Sequence, residues 1–398
     1  MRIGLLILAL IVSLAVLGVG LLGRQREANR SIGEGEVKES LNAFSFDLLS
    51  KLDFNRENTF FSPISVYSAL AMTYEGARGK TAEEMASVLR LPEGSPAEGY
   101  RSLFNSLSHI EALKVANAIW VQRSFPLRQE YVSRIVEHYG GAVESLDFLG
   151  DPEGARERIN SYVREKTAGK IEELLKRGSI DALTRLVIAN AVHFKGSWRY
   201  RFDPSDTFEG DFRTPRGIVK AQMMRMGEVR FNYTDIGTHE VLELPYEGRL
   251  SMLIFLPKEG HELNLKDLKR AMESMREEEL EEILIPKFEV TSEYDLNGIL
   301  IGLGMRRAFD QHEADLTGMY EREKVGENLY ISLVRHKAHV RVDEEGTEAA
   351  GATGVVAKLT AVRERRVFAA DHPFLFLIVD RETRVVLFMG SLVDPTAG

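Results

Sequence analysis

The stretch VDEEGTEAAGATGVVAKLTAVRERR, residues 342–366, is made of small residues through its middle and ends in a cluster of arginines. Side chains of a strand alternate between two faces. Counting every second residue from Thr347 gives Thr347, Ala349, Gly351, Thr353, Val355, Ala357 and Leu359, a face without a charge. Glu348 and Lys358 fall on the other face. That pattern suits a strand slotted between two existing strands over a packed core. Gly and Ala are poor strand formers, however, so the segment gains little from pairing by itself. The reading is of one segment with two positions, an exposed loop and a strand inside a sheet.

The rest of the chain is long enough to supply such a sheet. It has 398 residues, 44% hydrophobic and 28% charged, which is the composition of a globular protein. No linker-like tract and no internal repeat divides it, so one large mixed domain is expected over residues 31–398. The net charge of -9 argues against nucleic acid as a partner. There is no cysteine, which excludes disulfides and thiolate metal sites. Abundant Glu, Lys and Arg with no Cys fit a heat-adapted source.

Residues 1–30 read as a targeting segment. Arg2 precedes a charge-free run from Ile3 to Gly23, longer than an ordinary signal core and close to a bilayer span. A cleaved secretory signal and a retained membrane anchor both fit; either places the chain outside the cell. Gly18, Gly20 and Gly23 match a dinucleotide fingerprint in spacing but lack its strand–turn–helix context.

Behind that segment, Leu41, Phe44, Leu48 and Leu52 share one helical face. Ser62 and Pro63 then read as an N-cap and first helical residue, with the helix stopping at Gly76. Thr81 and Glu84 read as a capping box for the next helix. LKVANAIWVQ and TRLVIANAVHFKG read as central strands, apolar on both faces except for Asn117 and Asn190. A hairpin is expected to turn at Glu247 and Gly248, and strands dominate the C-terminal half. The class is α+β.

Catalytic signatures are missing. No H-E-x-x-H and no G-x-S-x-G occurs, GARGKT has Tyr74 where a phosphate loop needs Gly, and His336 and His339 fall on opposite faces of one strand. No enzyme, metal or cofactor is expected.

Several long motifs then decide the family. VDEEGTEAAGATG resembles the hinge of the serpins, a family of protease inhibitors, and the likeness runs from about residue 37 to 395. NTFFSPISVYSALAMTYEGARGKTAEEM, RLVIANAVHFKGSW, ISLVRHKAHVRVDEEGTEAA and FAADHPFLFLIVDRETRVVLFMGSLVDP resemble further serpin segments in the family's order. The resemblance implies three β-sheets with about eight to nine helices around them and an exposed reactive loop at about 344–366. It implies a suicide mechanism in which a protease acylates itself on the loop, which then enters the main sheet. Glu344, Glu345, Gly346, Thr347, Glu348, Ala349 and Ala350 match the small hinge of inhibitory members. Ser62, Ser65, Asn190 and His336 match the family's polar cluster under the sheet. Trp198, Lys287 and Glu344 match the region where insertion begins, with an ion pair expected between Lys287 and Glu344.

The family's spacing from Glu344 places the scissile bond between Thr360 and Ala361, with cleavage after Leu359 as the alternative. Those residues suit subtilisin-, elastase- or chymotrypsin-like proteases. Arg363, Arg365 and Arg366 would suit trypsin-like pockets, but cleavage there would lengthen the inserted segment and leave slack. The expected partner is thus a serine protease held covalently by a monomeric inhibitor; a non-inhibitory carrier is the alternative. The PAEGYRSLFNSLSHIEALK region lacks a basic face, so no glycosaminoglycan is expected. Asn29 and Asn232 lie in N-x-[ST] contexts and are candidate glycosylation sites.

Overall fold

Two strands that read as apolar on both faces form the centre of the fold. The computed structural model describes residues 30–107, 110, 113–347 and 366–397. In the main sheet the strands lie in the order β3 (Ala142–Leu146), β2 (Leu113–Gln122), β4 (Leu186–Phe194), β12 (Leu333–Asp343) and β11 (Phe288–Asp295). β4 and β12 are parallel and pair directly from Val187/Leu333 to His193/His339. Beyond that point a two-residue strand, β13 (Gly346–Thr347), lies between β12 and β5 (Gly196–Ser197), antiparallel to both.

The second sheet runs β1 (Thr59–Phe61), β16 (Val386–Leu392), β15 (Phe374–Asp380), β9 (Leu250–Pro257), β8 (His239–Pro245), β7 (Gly217–Asp235), β10 (Arg276–Pro286) and β14 (Val367–Ala369), with β6 (Phe208–Thr214) also on β7. Hydrogen bonding therefore joins the described strands into two sheets, not the three expected. The 19-residue β7 is the cause. Its first part pairs with β6, its length with β10 and its last residues with β8. Glu228 takes a positive φ of 51° midway, so one strand turns a corner and serves both halves.

Eight α-helices surround the sheets among the described residues: α1 (Glu34–Leu49), α2 (Pro63–Gly76), α3 (Gly79–Val88), α4 (Ala97–Leu107), α5 (Gln129–Tyr139), α6 (Pro152–Lys166), α7 (Leu265–Ser274) and α8 (Asn297–Leu303). α2 packs on β2 and β4 on one side and β16 on the other, which is why it is apolar nearly all round. α6 covers the opposite face of β2 and β4. The alternation divides accordingly. Ile119, Val121, Ile188 and Val192 join the larger core with α2, while Ala118, Trp120, Ala189 and Ala191 join a second core with Ile159 and Val163 of α6. Being covered on both faces, these strands cannot show the polar alternation of a surface sheet.

Ser62 and Pro63 are the N-cap and first helical residue of α2 as expected, while the capping box expected of Thr81 and Glu84 is not formed. The Ser62 hydroxyl makes no capping bond. It donates instead to the Leu387 carbonyl at 2.9 Å, with Ser65 Oγ 3.2 Å away. The box is missing because α3 begins at Gly79 behind Arg78. Thr81 Oγ1 accepts from the Asp315 amide, and Glu84 Oε2 accepts from the amides of Arg306 and Arg307. Both side chains satisfy a distant loop in place of their own helix.

Candidate functional site

The described part of the hinge is folded into the end of the main sheet. After Asp343 the chain turns through Glu344 and Glu345, and Gly346–Thr347 return beside β12. The β5 side receives them closely: the Trp198 amide donates to Glu345 O at 2.9 Å and the Phe202 amide to Glu344 O at 3.0 Å. Gly346 has φ 145°, and a Cβ built there would collide with the Gly196 carbonyl oxygen. Only glycine fits this approach.

Thr347 is fully buried, and its hydroxyl meets Tyr246 Oη at 2.9 Å. Tyr246 lies flat against Trp198, with ring centroids 4.4 Å apart and planes 9° from parallel. Trp198 Nε1 in turn donates to the Asp343 carbonyl at 2.9 Å. An aromatic pair thus holds both ends of the turn, one through each polar tip.

Glu344 anchors the turn by charge. Its side chain is 10% exposed and its Oε2 lies 2.8 Å from Lys287 Nζ. Thr207 Oγ1 donates to Oε1 at 2.8 Å. Burial alone would raise this carboxyl, but the hydrogen bonds from Lys287 and Thr207 outweigh it and hold the pKa below the ordinary value.

Farther down, a buried polar chain crosses the sheet on the α2 side. The Ser62 amide donates to His336 Nε2 at 3.0 Å, which fixes the imidazole proton on Nδ1. That Nδ1 donates to Asn190 Oδ1, and Asn190 Nδ2 donates to Asn117 Oδ1. Asn117 and Asn190 are register partners across β2 and β4, as are Asn190 and His336 across β4 and β12. Burial holds the His336 pKa down to about 3, so the ring is neutral near pH 7. The chain therefore spans three strands and ties the β4–β12 boundary to the N-terminus of α2.

A family model described as Serpin (serine protease inhibitor) matches residues 39–395. This chain belongs to the serpin family. A serpin-like protein of Thermococcus kodakarensis is 44% identical over 92% of this serpin and 87% of its own length. The leukocyte elastase inhibitor of Bos taurus is 38% identical over 85% of this serpin and 93% of its own length. Among solved structures, Serpin48 of the insect Tenebrio molitor is similar at a TM-score of 0.79 and 30% identity, covering 90% of this serpin and 98% of that chain.

The serpin fold gathers Trp198, Lys287 and Glu344 at one end of the main sheet and Ser62, Ser65, Asn190 and His336 beneath its middle. Sequence reasoning left out three participants, Thr207, Tyr246 and Asn117. Asn117 had a signal, since it is a second Asn on an apolar strand, but joining it to Asn190 requires the register. Glu348, Ala349, Ala350, Leu359, Thr360 and Ala361 lie outside the described residues, as do the 3–23 run and Asn29. Asn232 is exposed on β7, where its side chain donates to Glu243 at 2.7 Å. Among the described residues no group of three or more His, Asp or Glu side chains is placed to hold a metal ion.

Proposed function

We propose that this serpin inhibits serine proteases of subtilisin-, elastase- or chymotrypsin-like specificity by trapping them as acyl-enzymes. The protease serine attacks the carbonyl carbon of Thr360. The peptide bond breaks, the Ala361 nitrogen leaves as an amine with the proton, and an ester joins the serine oxygen to Thr360. The freed segment then enters between β4 and β12 as a strand and carries the protease along.

The observation that carries this reading is β13. Gly346 and Thr347 already lie between β12 and β5, antiparallel to both, in the position from which a longer strand would extend. Residues 346–360 are about fifteen residues, or on the order of 50 Å when extended. β12 has 11 residues, about 36 Å, so the freed segment is long enough to cover it. The charge-free face beginning at Thr347 would continue over the α2 core. Loop carbonyls and amides exchange water for ladder bonds, and small side chains meet little resistance on entry. The elastase inhibitor among the relatives supports an apolar specificity. The apolar run at residues 3–23 supports an exported chain, either secreted or held at a membrane surface.

The test is to mix the purified chain with subtilisin, elastase and chymotrypsin, resolve the products on a denaturing gel and sequence the released C-terminal peptide. A denaturant-resistant complex with a new N-terminus at Ala361 or Thr360 supports the reading. Clean cleavage there by all three enzymes, without a complex, would instead mark a non-inhibitory carrier.

A further inference from the structure

A second concave site lies away from the hinge, where the C-terminal end of α2 and the N-termini of α3, α4 and α5 meet the turn around residues 317–323. It encloses about 1090 Å³ and is lined by five arginines, Arg30, Arg78, Arg128, Arg134 and Arg322. On a chain of net charge -9 that concentration of guanidinium groups runs against the background.

Three of the five are held by backbone carbonyls. Arg78 Nη1 donates to Glu75 O at 3.0 Å and Ala77 O at 2.6 Å. Arg128 Nε donates to Thr317 O at 3.2 Å and Tyr320 O at 3.0 Å. Arg322 Nη1 donates to Val325 O at 2.8 Å and Glu327 O at 3.0 Å. Carbonyl contacts fix a head group without neutralising it, and a guanidinium has five N–H donors, so donors remain on each. Such fixed forks lose little freedom when an anion arrives.

Glu75, Glu98, Glu130 and Glu323 line the cleft too and offset most of this charge, and Arg30 pairs with Glu36 at 2.5 Å, so the site rests on which arginines stay unpaired. Glu75 accepts from Ser95 and Tyr139 and lies 3.5 Å from Arg134; Glu98 approaches His138 and Glu323 approaches Arg128 at 3.8 Å. Among the described residues, Arg78 and Arg322 have no carboxylate partner. Their head groups come from different segments, so one small ion on one arginine would use little of the site.

We propose that this cleft binds a compact polyvalent oxyanion, a triphosphate in size and charge, held by Arg78, Arg128 and Arg322. Guanidinium forks match phosphate oxygens in pairs, which suits them to this ligand class. The assignment is independent of the inhibitory mechanism.

Isothermal titration of the full chain with sodium tripolyphosphate, with orthophosphate in parallel, tests it. The expected result is saturable binding of one tripolyphosphate per chain, much tighter than orthophosphate and weakened by added salt. A double variant, Arg78→Gln with Arg322→Gln, keeps a donor for the carbonyls and should weaken binding by roughly tenfold or more. Gly318→Ala is the second probe, because a Cβ there would overlap the Arg78 guanidinium and displace it. It should weaken binding with all five arginines still present, and circular dichroism should show both variants folded. Absence of saturable heat, equal affinity for orthophosphate, or unchanged affinity in both variants would overturn the proposal.

Discussion

His336 sits opposite Asn190 across the boundary between β12 and β4 and donates its Nδ1 proton to the Asn190 side-chain oxygen. The proposed insertion of a new strand would part these two strands, which puts this hydrogen bond on the line of opening. Replacing His336 with Ala leaves the buried Ser62 amide and Asn190 Oδ1 without their partner. An unsatisfied buried group costs about 1–3 kcal/mol. The variant should lose stability of that order in denaturant titration and convert faster, on standing, to an uncleaved form that no longer traps protease. An unchanged midpoint and conversion rate would remove His336 from control of the sheet.

The same residue predicts a pH dependence. Its folded pKa is about 3 against an ordinary 6.5. Between those values the unfolded chain binds a proton that the folded protein does not, so stability falls as pH falls through that window. His336→Gln should flatten the slope of unfolding midpoint against pH between 6.5 and 3. An equal slope in the variant would assign the acid sensitivity elsewhere.

Glu344, paired with Lys287, supplies a second window. The carboxyl is depressed in the folded state, so its contribution is present above the unfolded pKa and lost as pH falls through the folded one. Glu344→Lys places two cations together where an ion pair stood. It should release the turn, accelerate insertion and promote polymerisation, read by native gel after incubation. Unchanged insertion and polymerisation would contradict the role assigned to the pair.

Thr347 already lies in β13, at the head of the face that the proposed insertion would carry into the core. Thr347→Glu would bury a carboxylate beside Tyr246 with no cation in the contact, and the effective cost of burying such a charge is several kcal/mol. Entry should slow until hydrolysis of the acyl-enzyme wins, so the variant is cleaved as a substrate. The measurement is the number of inhibitor molecules consumed per protease inactivated, expected to rise severalfold over the parent.

What the sequence disclosed follows from the range of each signal. The doubly apolar strands around Asn117 and Asn190 are local patterns with a fixed period, and they were legible, while the charge-free alternation after Thr347 falls on residues outside the described ones. Pairing Asn117 with Asn190 depends on register, which no single strand specifies. Tyr246 reads as an ordinary residue before a hairpin turn, and only the fold shows its hydroxyl on Thr347. Thr81 and Glu84 misled because their spacing satisfies a local rule, while amides more than 200 positions away take both side chains. Two of the three expected sheets join into one hydrogen-bonded network for a related reason, since no residue in β7 announces that the strand continues through Glu228.

The most direct test of the central claim is a lock on the sheet. Val192 and Ala338 are register partners across β4 and β12, and the chain has no cysteine of its own. A Val192→Cys, Ala338→Cys variant can therefore be closed by oxidation and reopened by reduction, with no competing thiol. The account predicts that the oxidised protein is cleaved by subtilisin without forming a denaturant-resistant complex, and that reduction restores the complex. Equal complex formation in the oxidised and reduced states would contradict insertion between β4 and β12.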